Sequence, residues 1–230
     1  MEFEAVMQAL EEAGTEQARK TYARHGAGPC HGVSFAKLGE LKKKIKKDQA
    51  LAERLWATGF AEARALATMV ADPALVTPAL LDAWAQDADN FTAGQVADLA
   101  ARTAHARELL TRWTASDDEW IGKAAWMLVA KVAMEDPALT DDEAEALLAR
   151  IESEIGAAPN MVKDAMNNAI IAIGIRNERL EGRAIATARR IGPVVVDHGQ
   201  TNCKTPAAEP YILKARARKQ AQAEQKAAKR

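Results

Sequence analysis

The tetrapeptide Asp-Pro-Ala-Leu occurs twice, at 72–75 and 136–139, each time between two stretches with apolar residues at helical spacing. Proline cannot continue a helix and pushes the preceding residue towards extended backbone, so each copy marks a helix stop and a restart. A joint that recurs between helices points to stacked helical pairs. No strict period runs the whole length, so the expected fold is all-α: a curved solenoid of stacked antiparallel helix pairs, a degenerate repeat of the HEAT or armadillo kind. The expected exception is 192–199, where Val194, Val195 and Val196 lie between breakers and form a short irregular β-like segment.

Helices are expected wherever the 3–4 spacing persists. Phe3, Val6, Met7 and Leu10 make the first, ended by Gly14, and a second runs from about Thr15 to His25-Gly26. The Gly- and Pro-rich stretch 26–32 is a loop. Ser34 then caps a helix with Phe35, Leu38, Leu41 and Ile45 on its apolar side, and Asp48 caps the next, ending near Trp56. Further helices follow near 60–70, 75–85, 92–102, 104–113, 117–134, 140–156, 160–175 and 180–191, and Thr205-Pro206 starts a last one. The sharpest start is Ser116 with Glu119 three residues on, a capping box that precedes Trp120 and Trp126. Trp84, Trp113, Trp120 and Trp126 are expected in the core.

With 230 residues and 48% hydrophobic content the chain can bury a large core. One domain is expected over 1–205, with a basic helix or tail over 206–230. The most apolar run, 169–173, is far shorter than the ~20 residues a membrane span needs, and the N-terminus is acidic, so a cytoplasmic location and no membrane partner are expected. Cys30 and Cys203 form no disulfide framework, although two thiols permit one bridge.

The net charge of −1 predicts no polyanionic partner, but its distribution does. Lys37, Lys42, Lys43, Lys44, Lys46 and Lys47 face only Glu40, a local charge of +5, and residues 204–230 add +6, leaving about −12 for the rest. Asp197, His198 and Cys203 offer three donors without a fourth at a known spacing. No metal and no cofactor is expected; side-chain hydrogen bonds hold that loop instead.

Taken in order, these residues resemble the AlkD-like DNA alkylation repair proteins over roughly 20–214. The resemblance lies in Trp56, Glu62-Ala63-Arg64, the Asp72-Pro73 joint, Trp113 with Ser116-Asp117 and Trp120, Val162-Lys163, and Met166-Asn167-Asn168. It continues through Ile173-Gly174-Ile175-Arg176-Asn177 and from Val196-Asp197-His198-Gly199 to Cys203-Lys204-Thr205-Pro206. It implies a positive groove around double-stranded DNA and, for the family's glycosylases, release of N3- or N7-alkylated purines from alkylated DNA. Carried over by position, the family's aromatic falls on Phe91, its aspartate on Gln95, its arginine on Lys123, and a further aromatic near Asn167 or Asn168. A slip of one turn would bring Asp89 or Asp98 to the carboxylate position. Phosphate contacts are expected from Lys42, Lys43, Lys46 and Lys47 and, along the resemblance, from Lys123, Lys163, Arg176, Lys204 and Lys214.

Overall fold

The structure, a computed structural model, describes residues 1–228, with side chains as far as Gln225. Thirteen helices and no strand are found among the described residues: α1 (Phe3–Glu12), α2 (Glu16–Arg24), α3 (Phe35–Ile45), α4 (Gln49–Ala57), α5 (Ala61–Val70), α6 (Pro78–Gln86), α7 (Ala93–Ala100), α8 (Ala106–Trp113), α9 (Glu119–Glu135), α10 (Asp141–Glu154), α11 (Asn160–Arg176), α12 (Glu178–Ile191) and α13 (Ala208–Ala228). None of them is long and apolar enough to cross a membrane. Cys30 and Cys203 are both free thiols.

The two Asp-Pro-Ala-Leu copies adopt one local structure. In each, the aspartate Oδ1 accepts the alanine N–H two residues on, at 3.2 Å from Ala74 and 2.8 Å from Ala138. A threonine then caps the following helix: Thr77 for α6, and Thr140 for α10, where Glu143 completes a reciprocal capping box. The tetrapeptide is therefore the turn itself, and α6 begins at Pro78 rather than near 75.

The helices fall into two compact units, Met1–Leu128 with His198–Cys203, and Val129–Asp197 with Lys204–Arg230. In the first, α4 packs on α5, α3 on α5 and α5 on α7; in the second, α11 packs on α12, α10 on α12 and α11 on α13. Contact with the helix two along is what a helical repeat produces, because each apolar stripe is buried by neighbours on both sides. The run Ala169, Ile170, Ile171, Ala172, Ile173 in α11 is buried throughout. Gly174 permits the closest approach there: a Cβ would lie 2.7 Å from Ile212 Cδ1 and 2.9 Å from Ala184 Cβ.

Several local expectations are corrected. Ser116 does not cap α9; the Asp118 carboxylate takes the Trp120 and Ile121 amides at 2.8 and 3.0 Å, and Ser116 Oγ accepts the Asp118 N–H. A charged acceptor next to the first turn outcompetes a neutral hydroxyl two residues further back. The segment 194–196 is irregular, not β-like, because its backbone groups meet a side chain instead of another strand: Asp197 N–H donates to Asn160 Oδ1, and Asn160 Nδ2 donates to Asp197 O. The last helix starts at Ala208, since the Thr205 hydroxyl donates to Asp164 of α11. Trp84, Trp113 and Trp126 are core, whereas Trp120 is only partly buried.

Candidate nucleic-acid interface

The loop 26–34 begins on carbonyls of α2, with Gly26 N–H donating to Ala23 O and Ala27 N–H to Tyr22 O, and further along a buried carboxylate satisfies its amides. Glu62 of α5 is wholly buried and accepts the N–H groups of His31 (3.1 Å), Val33 (3.0 Å) and Gly32. The Tyr22 hydroxyl donates to Val33 O. Burial first, and the Glu62 charge second, push the Tyr22 phenol and the Cys30 thiol up, so both stay protonated at neutral pH. Gly32 has φ +83°, and a Cβ there would stand 2.3 Å from Thr15 O, so only glycine fits.

A second irregular segment, 87–92, is fastened to this loop. The Asp89 carboxylate accepts the N–H of Phe91 (3.0 Å), the N–H and hydroxyl of Thr92 (2.8 and 2.7 Å) and, across 61 residues, the N–H of Gly28 (2.9 Å). Asn90 donates to His25 O and receives the Lys123 ammonium on both its O (2.6 Å) and Oδ1 (2.5 Å). Asp87 accepts Trp56 Nε1 and Arg64, while Trp56 stacks on Trp84 at 4.4 Å. So fixed, Phe91 lies 4.7 Å from Tyr22 and 5.8 Å from Phe35, centroid to centroid, in a cluster of three rings.

These bonds decide what the sequence-derived candidates can do. Lys123 is 9% exposed, a buried cation that holds the 87–92 turn. Asp89 is occupied by four donors, and Asp98 is exposed on α7. Gln95 stands near the start of α7 with its Oε1 buried and without a hydrogen-bond partner. A neutral amide there can bind a donor but brings no negative charge to a cation. Asn167, 2% exposed, donates to Pro206 O, and Asn168 donates to Asp164.

The lysines separate cleanly. Lys42, Lys43, Lys46 and Lys47 are all exposed, and only Lys47 is ion-paired among the described residues, to Asp72 at 3.0 Å. Lys163 is partly exposed on α11, and Lys204 and Lys214 are exposed. Arg176 is spent on structure, its guanidinium donating to Ala133 O (2.8 Å) and Leu139 O (2.6 Å), where it satisfies carbonyls around the second joint. Of the basic tail, Lys229 and Arg230 lie outside the described residues, as does the side chain of Lys226. Phe35 was missed as a surface residue: helical spacing groups it with Leu38, Leu41 and Ile45, yet it is 45% exposed. Its place at the first position of α3 was the available signal.

Comparison with known proteins agrees with this architecture. The family of DNA alkylation repair enzymes matches residues 6–208. An uncharacterized protein of Listeria innocua serovar 6a is 28% identical over 226 residues, covering 94% of this chain and 97% of its own length. Its counterpart in Listeria monocytogenes serovar 1/2a is 27% identical with the same coverage. A solved structure superposes with a TM-score of 0.88 at 30% identity over 95% of both chains. It is described as one of a new family of proteins related to the HEAT-like repeat DNA glycosylases, with affinity for branched DNA structures.

Proposed function

The chain belongs to the DNA alkylation repair enzyme family, and within that family we propose that it is a DNA-binding protein that recognises branched DNA and does not excise alkylated bases. The observation that carries this reading is the row of exposed lysines at the end of α3, three of which, Lys42, Lys43 and Lys46, have no ion pair among the described residues. Unpaired cations in water displace counterions from phosphate and supply sequence-independent affinity. The affinity of the superposable structure for branched DNA supports the choice of substrate.

Base excision requires stabilisation of positive charge developing on the sugar. Gln95 supplies none. At ~4 Å and an effective dielectric of ~20, a missing carboxylate forfeits about 4 kcal/mol, or roughly 10³ in rate. Asp89 is committed to backbone amides and a hydroxyl, and Lys123 to Asn90.

The test compares a three-way junction with a linear duplex of the same length over a salt series, alongside single-turnover release of methylated purine. Tighter, salt-dependent binding to the junction with no purine release is expected. Release by the wild type would instead support a glycosylase acting on N3- or N7-alkylated purines. Gln95→Asp is the companion variant: a gain of up to ~10³ in release would show a groove that lacks only the charge.

A further inference from the structure

Phe35 is 45% exposed, although the helix that carries it buries Leu38, Leu41 and Ile45. The ring is not loose. It lies against Phe91, which Asp89 fixes through its backbone amide and which in turn lies against Tyr22. A supported, solvent-exposed aromatic residue thus stands at the start of α3.

Gly39 and Lys42 follow Phe35 by four and seven residues and so share its side of the helix. A Cβ at Gly39 would meet nothing within 4 Å, so the helix surface between Phe35 and Lys42 is open at that point. Seven residues rise about 10 Å, or about three steps of a stacked strand at ~3.4 Å per phosphate. Lys42, Lys43 and Lys46 are exposed without ion pairs among the described residues, so a polyanionic strand matches this side in charge. An aromatic face with cations tracking away from it is how proteins hold unpaired nucleotides, the base on the ring and the phosphates on the cations.

In an intact duplex each base already has two stacking neighbours and offers no face. A base at a branch point lacks one. We infer that Phe35 stacks on an unstacked base at a DNA branch point while Lys42, Lys43 and Lys46 hold the phosphates of the same strand, and that this contact sets the preference for branched over linear DNA. The inference rests on the branched-DNA reading above and names the group that makes the discrimination.

The experiment places 2-aminopurine at the branch point of a three-way junction, and in mid-duplex as a control, and titrates each with the full chain. The wild type is expected to change the fluorescence at the branch point and leave the duplex probe unchanged. Phe35→Ala is expected to abolish that change and weaken junction binding by about 5- to 100-fold, with duplex affinity and its salt dependence retained. Phe35→Trp should preserve both signals. An unaltered signal and junction affinity in Phe35→Ala would overturn the inference, and so would an equal loss on junction and duplex, which would mark a general effect on the surface. A wild type that binds junction and duplex alike would overturn the branched-DNA reading itself, a result separate from any effect of Phe35→Ala.

Discussion

Helices α3 and α12 each carry four cationic residues, yet they present opposite surfaces. On α12, Arg179 pairs with Asp142 and Glu145 at 2.7 and 2.9 Å, Arg183 with Glu145 at 3.0 Å, Arg190 with Glu152 at 2.6 Å, and Arg189 with Glu209. On α3 the one ion pair among the described residues is internal, Lys37 with Glu40 at 2.9 Å. Exposed pairs of this kind contribute little stability, about 0–1 kcal/mol each. Their consequence is electrostatic: each removes a cation from the field a phosphate would meet. The difference teaches that cationic content and positive potential are separate quantities, and that long-range neutralisation converts one into the other. It explains why a helix of lysines is the better candidate for DNA although arginine is the better phosphate ligand in isolation.

The strongest way to break this contrast is to erase the α3 side. Replacing Lys42, Lys43, Lys46 and Lys47 by glutamine is expected to lower duplex affinity about 10²–10³-fold at ~0.1 M salt and to flatten the log-log salt slope by up to ~0.9 per lost contact. Thermal stability should change by no more than about 0.5 kcal/mol per site, since surface changes away from packed features are small. Filter binding over a salt series, with melting curves, measures both, and an unchanged slope would remove α3 from the interface.

Next in size is the 87–92 turn, whose cation is held by the carbonyl oxygens of Asn90. Lys123→Met is expected to cost about 2–3 kcal/mol in chemical denaturation, because two part-buried acceptors of Asn90 lose their donor. DNA affinity per folded molecule should hold, since that ammonium faces Asn90. A large loss of affinity with intact stability would instead put Lys123 on phosphate.

The contrast can also be sharpened by unmasking α12. Glu145→Gln with Glu152→Gln frees Arg183 and Arg190 from carboxylates of α10, while Arg179 keeps Asp142. The salt slope should steepen by ~0.9 for each arginine that finds phosphate. No change on these substitutions would mean that α12 does not reach DNA even when uncovered.

The smallest effect is with pH. Hydrogen bonds from Arg190 and Arg189 hold the Glu152 and Glu209 carboxyls below the ordinary range. A depressed folded pKa gives stability that is fully present above the unfolded glutamate value of ~4.3 and is lost as pH falls through the lower folded value. In urea titrations below pH ~4.3, Glu152→Gln and Glu209→Gln should therefore lose stability less steeply than wild type.

The sequence was legible where the determining interaction is local. Thr15, Ser34 and Asp48 each cap a helix by accepting an amide three residues on, as their residue types imply. The Asp-Pro-Ala-Leu joints, the all-helical pattern and the lysine content of α3 are of the same kind. The pattern pointed to Ser116 as cap and the structure uses Asp118, because a charged acceptor nearer the first turn is the stronger one. The Thr140–Glu143 capping box was equally visible and belongs to the second joint.

What the chain alone determined is thus everything that acts within about one helical turn: helix positions, stops, most caps, and the charge each segment carries. Tertiary structure alone decided which charges survive and which rings stay outside. Lys123 meets Asn90 across 33 residues, Arg190 meets Glu152 across 38, and Gly28 meets Asp89 across 61. Phe35 shares the apolar spacing of α3 and still ends 45% exposed. Spacing along one helix places a side chain on a face, but whether another helix covers that face depends on residues distant in sequence, and no local rule carries that information.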